Sequence, residues 1–256
     1  MTWSPAQYLA FEDDRTRPVR DLVAAIPGGD ARAVLDLGCG PGNSTEVLAA
    51  RFPDAEVSGL DSSAEMIAAA KQRLPGLRFG VAEITAWDAP GPFDVLLANA
   101  VLQWVPDHAA LLPRLVGRLA PGGSLAVQMP DNLDEPAHRL MREVAAGGSW
   151  AGKLAAAAGA PTGMGSADWY YGVLRPDCSR VDVWRTTYFH TLAGGADAVV
   201  EWFKGSGLRP FLAPLDDEER TEFLRCYRGA VNAAYPALPD GAVLLPFPRL
   251  FMVGTR

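Results

Sequence analysis

One short stretch, residues 36–45, constrains the fold of this chain more than any other. It follows the apolar run Ala33-Val34-Leu35 and carries glycine at 38, 40 and 42. An apolar run that ends in an acid and a glycine turn is typical of a β-strand leading into an α-helix. A second apolar run at 57–60 also ends in an acid, Asp61. The pattern predicts a βαβ unit with a ligand site at the carboxyl ends of its strands.

The residues of this turn argue against a phosphate ligand. A pyrophosphate site needs a row of free backbone N–H groups at a helix N-terminus, and Pro41 removes one of them. The carboxylate of Asp36 would also repel phosphate. S-adenosylmethionine has no phosphate, and Asp36 or a loop carbonyl can attract its ammonium group. Asp61 would accept hydrogen bonds from both ribose hydroxyls. We therefore favour an adenosyl cofactor, with a nicotinamide dinucleotide as the alternative.

Composition sets wider limits. The chain has 256 residues, 49% of them hydrophobic, which is enough to fill one α/β domain with an added cap. A net charge of −7 disfavours nucleic acid or a membrane surface as a partner, because both bind a basic face. The three cysteines show no metal-like spacing, and no run has the pattern of a signal peptide or the length of a membrane span. We expect a cytoplasmic protein that is a monomer or a weak homo-oligomer.

Strand-like and helix-like segments alternate along the first half of the chain, which is typical of βαβ units and a parallel sheet. We expect strands at 32–37, 56–60, 77–82, 93–99 and 123–129, with helices near 43–51, 63–73 and 108–119. Asn43 or Ser44 would cap the first of these helices, and Ser62 or Ser63 the second. Beyond Pro130 we expect helices near 136–146, 196–206 and 215–235, and strands at 181–191 and 243–253.

Seven further segments extend the pattern over nearly the whole chain: Trp3-Ser4-Pro5, Tyr8-Leu9 and residues 15–18, 102–108, 126–132, 183–188 and 247–251. Residues 36–42 resemble the first motif of the class I methyltransferases, which use S-adenosylmethionine. That motif is generic to a very large class. The seven segments are more specific, and they resemble a narrower family within the class, the trans-aconitate methyltransferases.

The resemblance implies a fold and a domain organisation. The implied fold class is α/β, with a doubly wound, mostly parallel seven-stranded sheet of Rossmann-like type, an antiparallel last strand and a helical cap. We expect a single methyltransferase domain over residues 1–256. Within it we expect N-terminal lid helices at 1–30, a cofactor-binding core at 31–130, and helical cap insertions at 131–180 and 192–241.

The resemblance also implies cofactor contacts. The backbone of Gly38 and Gly40 would approach the methionine part of the cofactor, and Asn99-Ala100 would pass under the sulfonium. The family usually has Asp where this chain has Glu83, so the adenine edge would meet either the Glu83 side chain or the next backbone N–H. The implied set is Asp36, Leu37, Gly38, Gly40, Asn43, Asp61, Ser62, Met66, Glu83, Ile84, Asn99, Ala100 and Arg17, with no metal.

Acceptor binding calls for fixed positive charge. Arginine suits a polycarboxylate because its planar fork binds carboxylates in two places, although a surface ion pair is the alternative for each arginine. On a regular strand Arg185 and Tyr188 point to opposite faces, so at most one of them faces the pocket directly. Trp104 and His108 follow the fourth predicted strand, at the expected mouth of the cleft. For Trp104 the alternative to a site position is a core position, and for His108 it is a helix cap. The candidate acceptor residues are Tyr8, Gln103, Trp104, Gln128, Tyr170, Arg185, Tyr188 and Arg249.

The resemblance implies a reaction. A methyl group would pass from S-adenosylmethionine to one carboxylate of trans-aconitate or a closely related polycarboxylate, giving a monomethyl ester and S-adenosylhomocysteine. Such in-line transfer depends on positioning and on exclusion of water. A carboxylate is already ionised at neutral pH, so we expect no catalytic base. Another acidic acceptor is the alternative, and the sequence leaves open which carboxylate is methylated.

Overall fold

The structure is a computed structural model that describes residues 12–88, 91–159 and 164–256. Tyr8 and the first part of the predicted lid, residues 1–11, lie outside these ranges. The strands are β1 Ala33–Leu37, β2 Glu56–Asp61, β3 Arg78–Val81, β4 Phe93–Asn99, β5 Leu119–Pro130, β6 Arg180–Ala193 and β7 Ala242–Thr255. The helices are α1 Glu12–Ala24, α2 Asn43–Arg51, α3 Ala64–Arg73, α4 His108–Val116, α5 Pro136–Ala146, α6 Ala151–Ala158, α7 Ala167–Leu174, α8 Gly195–Lys204, α9 Arg209–Leu212 and α10 Asp217–Ala234. A 3₁₀ turn spans Leu102–Trp104.

The strands form one seven-stranded sheet in the order β3-β2-β1-β4-β5-β7-β6. Strands β1 to β5 pair in parallel, and β7 pairs antiparallel with β5. The predicted fold class is therefore confirmed. Strand order reverses between β1 and β4, and open α/β sheets bind ligands beyond the carboxyl ends of the strands at such a point.

The parallel part of the sheet is buried on both faces. Strand β4 shows this best, since Val95, Leu96, Leu97 and Ala98 are all buried in succession. Helices α4 and α7 supply apolar side chains to the cluster that contains Leu96 and Ala98. Helix α1 packs against β5 and α2. Continuous apolar strands are what a parallel sheet covered by helices requires.

The chain divides into two compact units. The first holds residues 12–130 together with 164–186 and 249–256, and the second holds 131–159 together with 187–248, counting described residues alone. In the second unit, Trp150 packs edge-on against Phe223, with ring centroids 5.5 Å apart. Tyr227 donates to the Ala137 carbonyl, and Tyr235 accepts from the Ala137 N–H. These helices thus have a core of their own, and the predicted division into lid, core and cap insertions stays a prediction.

Several predicted boundaries need correction. Strand β5 begins at Leu119 and not at the expected residue 123, because the Gly122 N–H donates to the Arg256 carbonyl and the Arg256 N–H to the Gly123 carbonyl. Helix α2 is capped by Gly42, in the left-handed conformation, and by neither Asn43 nor Ser44. Ser63 does cap α3, accepting the Met66 N–H. The helices missed by the sequence interpretation are α6, α7 and α9.

The described part of the chain contains no helix that is both long enough and apolar enough to cross a lipid bilayer.

Gly59 in β2 generates a prediction on stability. A Cβ at this position would lie 2.8 Å from the Phe79 ring and 2.9 Å from the Cβ of Cys39. Gly59→Ala should lower the free energy of unfolding by about 1–3 kcal/mol, because a packed core cannot absorb the extra methyl without shifts. Urea titration measures this. Gly76→Ala is the matched control, since nothing lies within 4 Å of the added carbon. Equal effects of the two substitutions would contradict the packing around β2.

Candidate functional site

The turn after β1 is held in a shape that needs glycine. Gly38 has a left-handed φ of 71°, and a Cβ there would lie 2.3 Å from a methyl carbon of Val101. The left-handed conformation and the lack of space for a Cβ exclude every residue other than glycine at position 38. The N–H groups of Gly38 and Cys39 both donate to the Leu60 carbonyl, at 2.7 and 2.9 Å. These bonds tie the end of β1 to the end of β2.

Asp61 is fixed by two backbone donors. Its Oδ2 accepts the Gly40 N–H at 2.9 Å, and its Oδ1 accepts the Ser63 N–H at 2.9 Å. An ionised carboxylate has about four lone-pair sites, so each oxygen can accept a further bond. Ser62 is exposed and Met66 half-buried on the segment that follows. The carboxylate is oriented before any ligand arrives, which fits the expected contact with two ribose hydroxyls.

Asp36 is fully buried. Its Oδ2 accepts the hydroxyls of Ser44 and Thr45, both at 2.7 Å, and its Oδ1 has no hydrogen-bond partner within the described ranges. Burial raises the pKa of Asp36 to about 6, against the lowering effect of the two hydroxyl bonds, and the charge of Asp61 adds to the rise. The sequence did not reveal the Ser44 and Thr45 bonds.

The end of β4 presents carbonyl oxygens. Ala100 adopts a left-handed φ of 53°, and its N–H donates to the Gln128 carbonyl at 2.8 Å. The Gln103 Nε2 donates to the Ala100 carbonyl at 2.7 Å, so its Oε1 must face the other way. The buried Asn99 Oδ1 and Gln103 Oε1 atoms have no partner among the residues described. Two acceptor atoms therefore lie where the sequence predicts a positively charged sulfonium.

A small cavity brings the turn, β4 and α1 together. It has a volume of about 30 Å³ and is lined by Thr16, Val19, Gly38, Cys39, Asn43, Ser44 and Asn99. The family resemblance implies Arg17 on α1 as a cofactor contact, but Arg17 is exposed and does not line the cavity. Thr16 and Val19 do line it, and their spacing of three puts them on one helix face. That spacing was the available signal for both residues. Leu37 is buried in the sheet.

Gln128 and Arg249 meet at the carboxyl end of β5. The Arg249 Nη1 donates to the Gln128 Oε1 at 3.1 Å, and both side chains are buried. Because its oxygen takes this bond, Gln128 must direct its Nε2 elsewhere. That nitrogen has no hydrogen-bond partner in the described part of the chain. The structure thus brings together two predicted acceptor residues, one with an unused donor beside a guanidinium.

Tyr170 has a partner inside the protein. The residue is fully buried on α7, and its hydroxyl lies 2.7 Å from the Nδ1 of His108. The His108 Nε2 lies 2.8 Å from the Leu102 carbonyl, which can only accept, so Nε2 carries the proton and Nδ1 accepts from Tyr170. This arrangement anchors α7 to α4. Tyr170 therefore does not join the acceptor residues that we propose below.

The remaining predicted residues are scattered. Trp104 is 69% exposed, so the alternative of a core position is wrong. The residues that follow Trp104, 105–108, line an open cavity of about 300 Å³ together with residues 164–166 and Trp169. Glu83 is exposed, whereas Ile84 is buried. Arg185 is exposed on β6 in the first unit, and Tyr188 is buried in the second. The expected alternation of these two side chains is confirmed.

A glycine turn after β1, an acid at the end of β2 and an antiparallel β7 beside β5 together define a class I methyltransferase. The family model "Methyltransferase domain" matches residues 34–123. The solved structure of the YcgJ protein from Bacillus subtilis has the same fold, with a TM-score of 0.60 at 10% identity, covering 94% of this chain and 98% of that one.

Curated relatives define the family more closely. The trans-aconitate 2-methyltransferase of Methylobacterium nodulans is 56% identical over 254 residues, covering 99% of this chain and 98% of the relative. The enzyme of the same name from Methylobacterium radiotolerans is 55% identical over 256 residues, with coverage of 99% and 98%. This chain belongs to the trans-aconitate 2-methyltransferase family.

The raised pKa of Asp36 predicts a pH dependence of stability. The folded value, about 6, lies above the ordinary 3.8, so the folded protein keeps a proton that the unfolded chain releases. The associated stability is fully present below about pH 4 and is lost as pH rises through about 6. Between pH 5 and pH 7.5 this loss should amount to about 1–2 kcal/mol.

Urea titration of wild type and Asp36→Asn at these two pH values measures the difference. The variant should lack this part of the pH dependence, because an amide cannot ionise. Asp54→Asn, at an exposed position, should retain the wild-type profile. Parallel profiles for wild type and Asp36→Asn would contradict a buried carboxylate that titrates near pH 6.

Proposed function

We propose that this protein transfers a methyl group from S-adenosylmethionine to one carboxylate of trans-aconitate, giving a monomethyl ester and S-adenosylhomocysteine. Identity above 50% over nearly the full length to enzymes named for this acceptor carries the proposal. The pairing of Gln128 with Arg249 supports it independently, since a buried guanidinium beside an amide donor suits a carboxylate.

The residues around the glycine turn fit the cofactor. Asp61 is already oriented by Gly40 and Ser63, and its remaining lone pairs can accept two hydroxyls. The orphaned oxygens of Asn99 and Gln103 favour a positive charge, and the cofactor carries two, on sulfonium and ammonium. When bound, S-adenosylmethionine supplies a methyl group on a sulfonium that a carboxylate can attack.

We assign the wider cofactor set to the same region. The backbone of Gly38, Gly40 and Ala100 would approach the bound molecule, and Ser62 with Met66 would cover one face of the adenine. Asp36 and Asn43 would contribute near the ammonium. Glu83 and Ile84 would meet the adenine edge. Leu37 would act by packing, and Arg17 would bind the cofactor carboxylate from its exposed position on α1.

The protein contributes positioning to the reaction and no general base. The acceptor carboxylate is ionised at neutral pH, so no proton has to be removed before attack. Gln128 would hold that carboxylate through Nε2, while Arg249 would balance its charge. In a buried site these interactions are stronger than in water. Effective transfer then depends on holding the acceptor oxygen about 3–3.5 Å from the methyl carbon.

The other acceptor candidates have weaker support. Trp104 and Gln103 lie on the segment after β4, and Gln103 presents an oxygen, which repels a carboxylate and suits the cofactor better. Arg185 and Tyr188 stay predictions from the family resemblance, as does Tyr8. A cytoplasmic location also belongs to the proposal, supported by three free cysteines, Cys39, Cys178 and Cys226, as expected in a reducing compartment.

The proposal predicts an activity and its dependence on Asp61. Incubation with trans-aconitate and cofactor labelled in the methyl group should give a base-labile monomethyl ester. Asp61→Ala should raise the dissociation constant for S-adenosylhomocysteine by about tenfold or more, because two hydroxyl bonds to a charged group are lost. Citrate and isopropylmalate serve as alternative acids. If no ester forms from trans-aconitate but one forms from another acid, trans-aconitate is the wrong acceptor, while the reaction class still holds.

Gln128→Glu tests the acceptor contact. The substitution keeps the shape and allows an ion pair with Arg249, but it removes the Nε2 donor and adds a negative charge. The KM for trans-aconitate should rise about tenfold or more, while the dissociation constant for S-adenosylhomocysteine should stay within about twofold. Gln72→Glu, at an exposed position on α3, is the matched control. An unchanged acceptor KM in Gln128→Glu would exclude Gln128 from the acceptor site.

A further inference from the structure

Arg114, near the end of α4, binds three backbone carbonyls of the segment that follows β3. Its Nη2 donates to the Ile84 carbonyl at 2.7 Å, and its Nη1 donates to the carbonyls of Thr85 at 2.8 Å and Trp87 at 3.3 Å. A planar guanidinium with five donors can make such a forked set of bonds, whereas an ammonium group cannot match its geometry.

These bonds fix the direction of a particular N–H group. The peptide unit between Glu83 and Ile84 is held on its carbonyl side, because the Glu83 carbonyl accepts the Ala86 N–H at 3.1 Å. The next peptide unit, between Ile84 and Thr85, is held by Arg114. Peptide units are planar, so fixing the unit on each side of Ile84 fixes both of its soft dihedral angles. The direction of the Ile84 N–H is thereby determined.

The same segment is anchored at its other end to the cofactor region. The Ala82 N–H donates to the backbone carbonyl of Asp61 at 3.0 Å. The side chains of Ile84 and Trp87 are buried, while Glu83 is exposed. The short turn from Ala82 to Trp87 therefore carries a fixed N–H and an acid, and it is attached to the residue proposed to hold the ribose.

We propose that Arg114 is a positioning residue that sets recognition of the adenine ring, acting through the Ile84 N–H. This inference rests on the proposed use of S-adenosylmethionine. Adenine offers an acceptor at N1 and a donor at its exocyclic amino group, which match the Ile84 N–H and the Glu83 carboxylate. Hypoxanthine offers the reverse, a donor and an acceptor, so a fixed segment discriminates against it. A segment released from Arg114 would lose part of this discrimination.

The experiment compares Arg114→Met with Arg118→Met as the matched control. Arg118 lies two residues beyond α4 and pairs with Asp88, outside the Ile84 turn. Dissociation constants are measured by calorimetry for S-adenosylhomocysteine, adenosine and inosine. In Arg114→Met we expect about tenfold weaker binding of both adenine compounds, with inosine changed by less than about twofold. The kcat at saturating cofactor and the KM for trans-aconitate should stay within about twofold.

The outcomes separate this inference from the proposed function. If the wild-type protein binds neither S-adenosylhomocysteine nor adenosine, the proposed function fails. If the wild type binds both and Arg114→Met binds them as tightly as Arg118→Met does, the inference alone fails. A merely structural role would weaken adenosine and inosine equally, and this result would also overturn it. If Arg114→Met does not fold, Arg114→Lys takes its place, because lysine keeps the charge without the forked guanidinium. We expect the same loss of the preference for adenosine over inosine.

Discussion

The carboxylate of Asp61 is the contact on which the candidate site depends. It accepts one N–H from the turn after β1 and another from the start of α3, while its backbone carbonyl accepts from the segment after β3. Three turns at the carboxyl ends of neighbouring strands are thus joined through one residue. Since the strand order β3-β2-β1-β4 places these turns side by side, sheet topology and side-chain chemistry act together. Loss of this side chain would release the turn after β1 and the start of α3, while the backbone bond to the segment after β3 would remain.

Two amide side chains in the site, Gln103 and Gln128, are oriented so that they favour opposite charges. Gln103 is held through its nitrogen and presents an oxygen, whereas Gln128 is held through its oxygen and presents a nitrogen. The oxygen lies at the end of β4, near the proposed position of the sulfonium, and the nitrogen lies at the end of β5, beside Arg249. An amide held at one end cannot rotate to offer its other atom without losing a bond. The two glutamines therefore prefer opposite charges, as methyl transfer from a sulfonium to a carboxylate requires.

Much of the fold follows from local sequence. The alternation of apolar strands with amphipathic helices predicts β1 to β4 to within two residues at either end, and the order of acids and glycines predicts the cofactor turns. Helix α6 is absent from the expected helices, although its run of alanines consists of the strongest helix former. Strand β5 was predicted too short because its early part is kept extended by pairing with the far end of the chain.

The side-chain contacts were harder to predict, because they join residues far apart in sequence. The bond between Tyr170 and His108 spans 62 positions, and the local sequence around either residue does not predict it. The burial of Asp36 under two hydroxyls, and the position of Thr16 and Val19 at a cavity that Arg17 does not line, likewise depend on how helices pack on the sheet. The sequence predicts Gln128 and Arg249 as acceptor residues, whereas their mutual orientation follows only from the paired strands β5 and β7.

The most direct test of the proposed site is a crystal structure with S-adenosylhomocysteine and trans-aconitate bound together. We expect an acceptor carboxylate oxygen within about 3 Å of the Gln128 Nε2, and both ribose hydroxyls on Asp61. This expectation would be contradicted if the acceptor occupied the cavity beside Trp169 while the Gln128 amide contacted protein atoms alone.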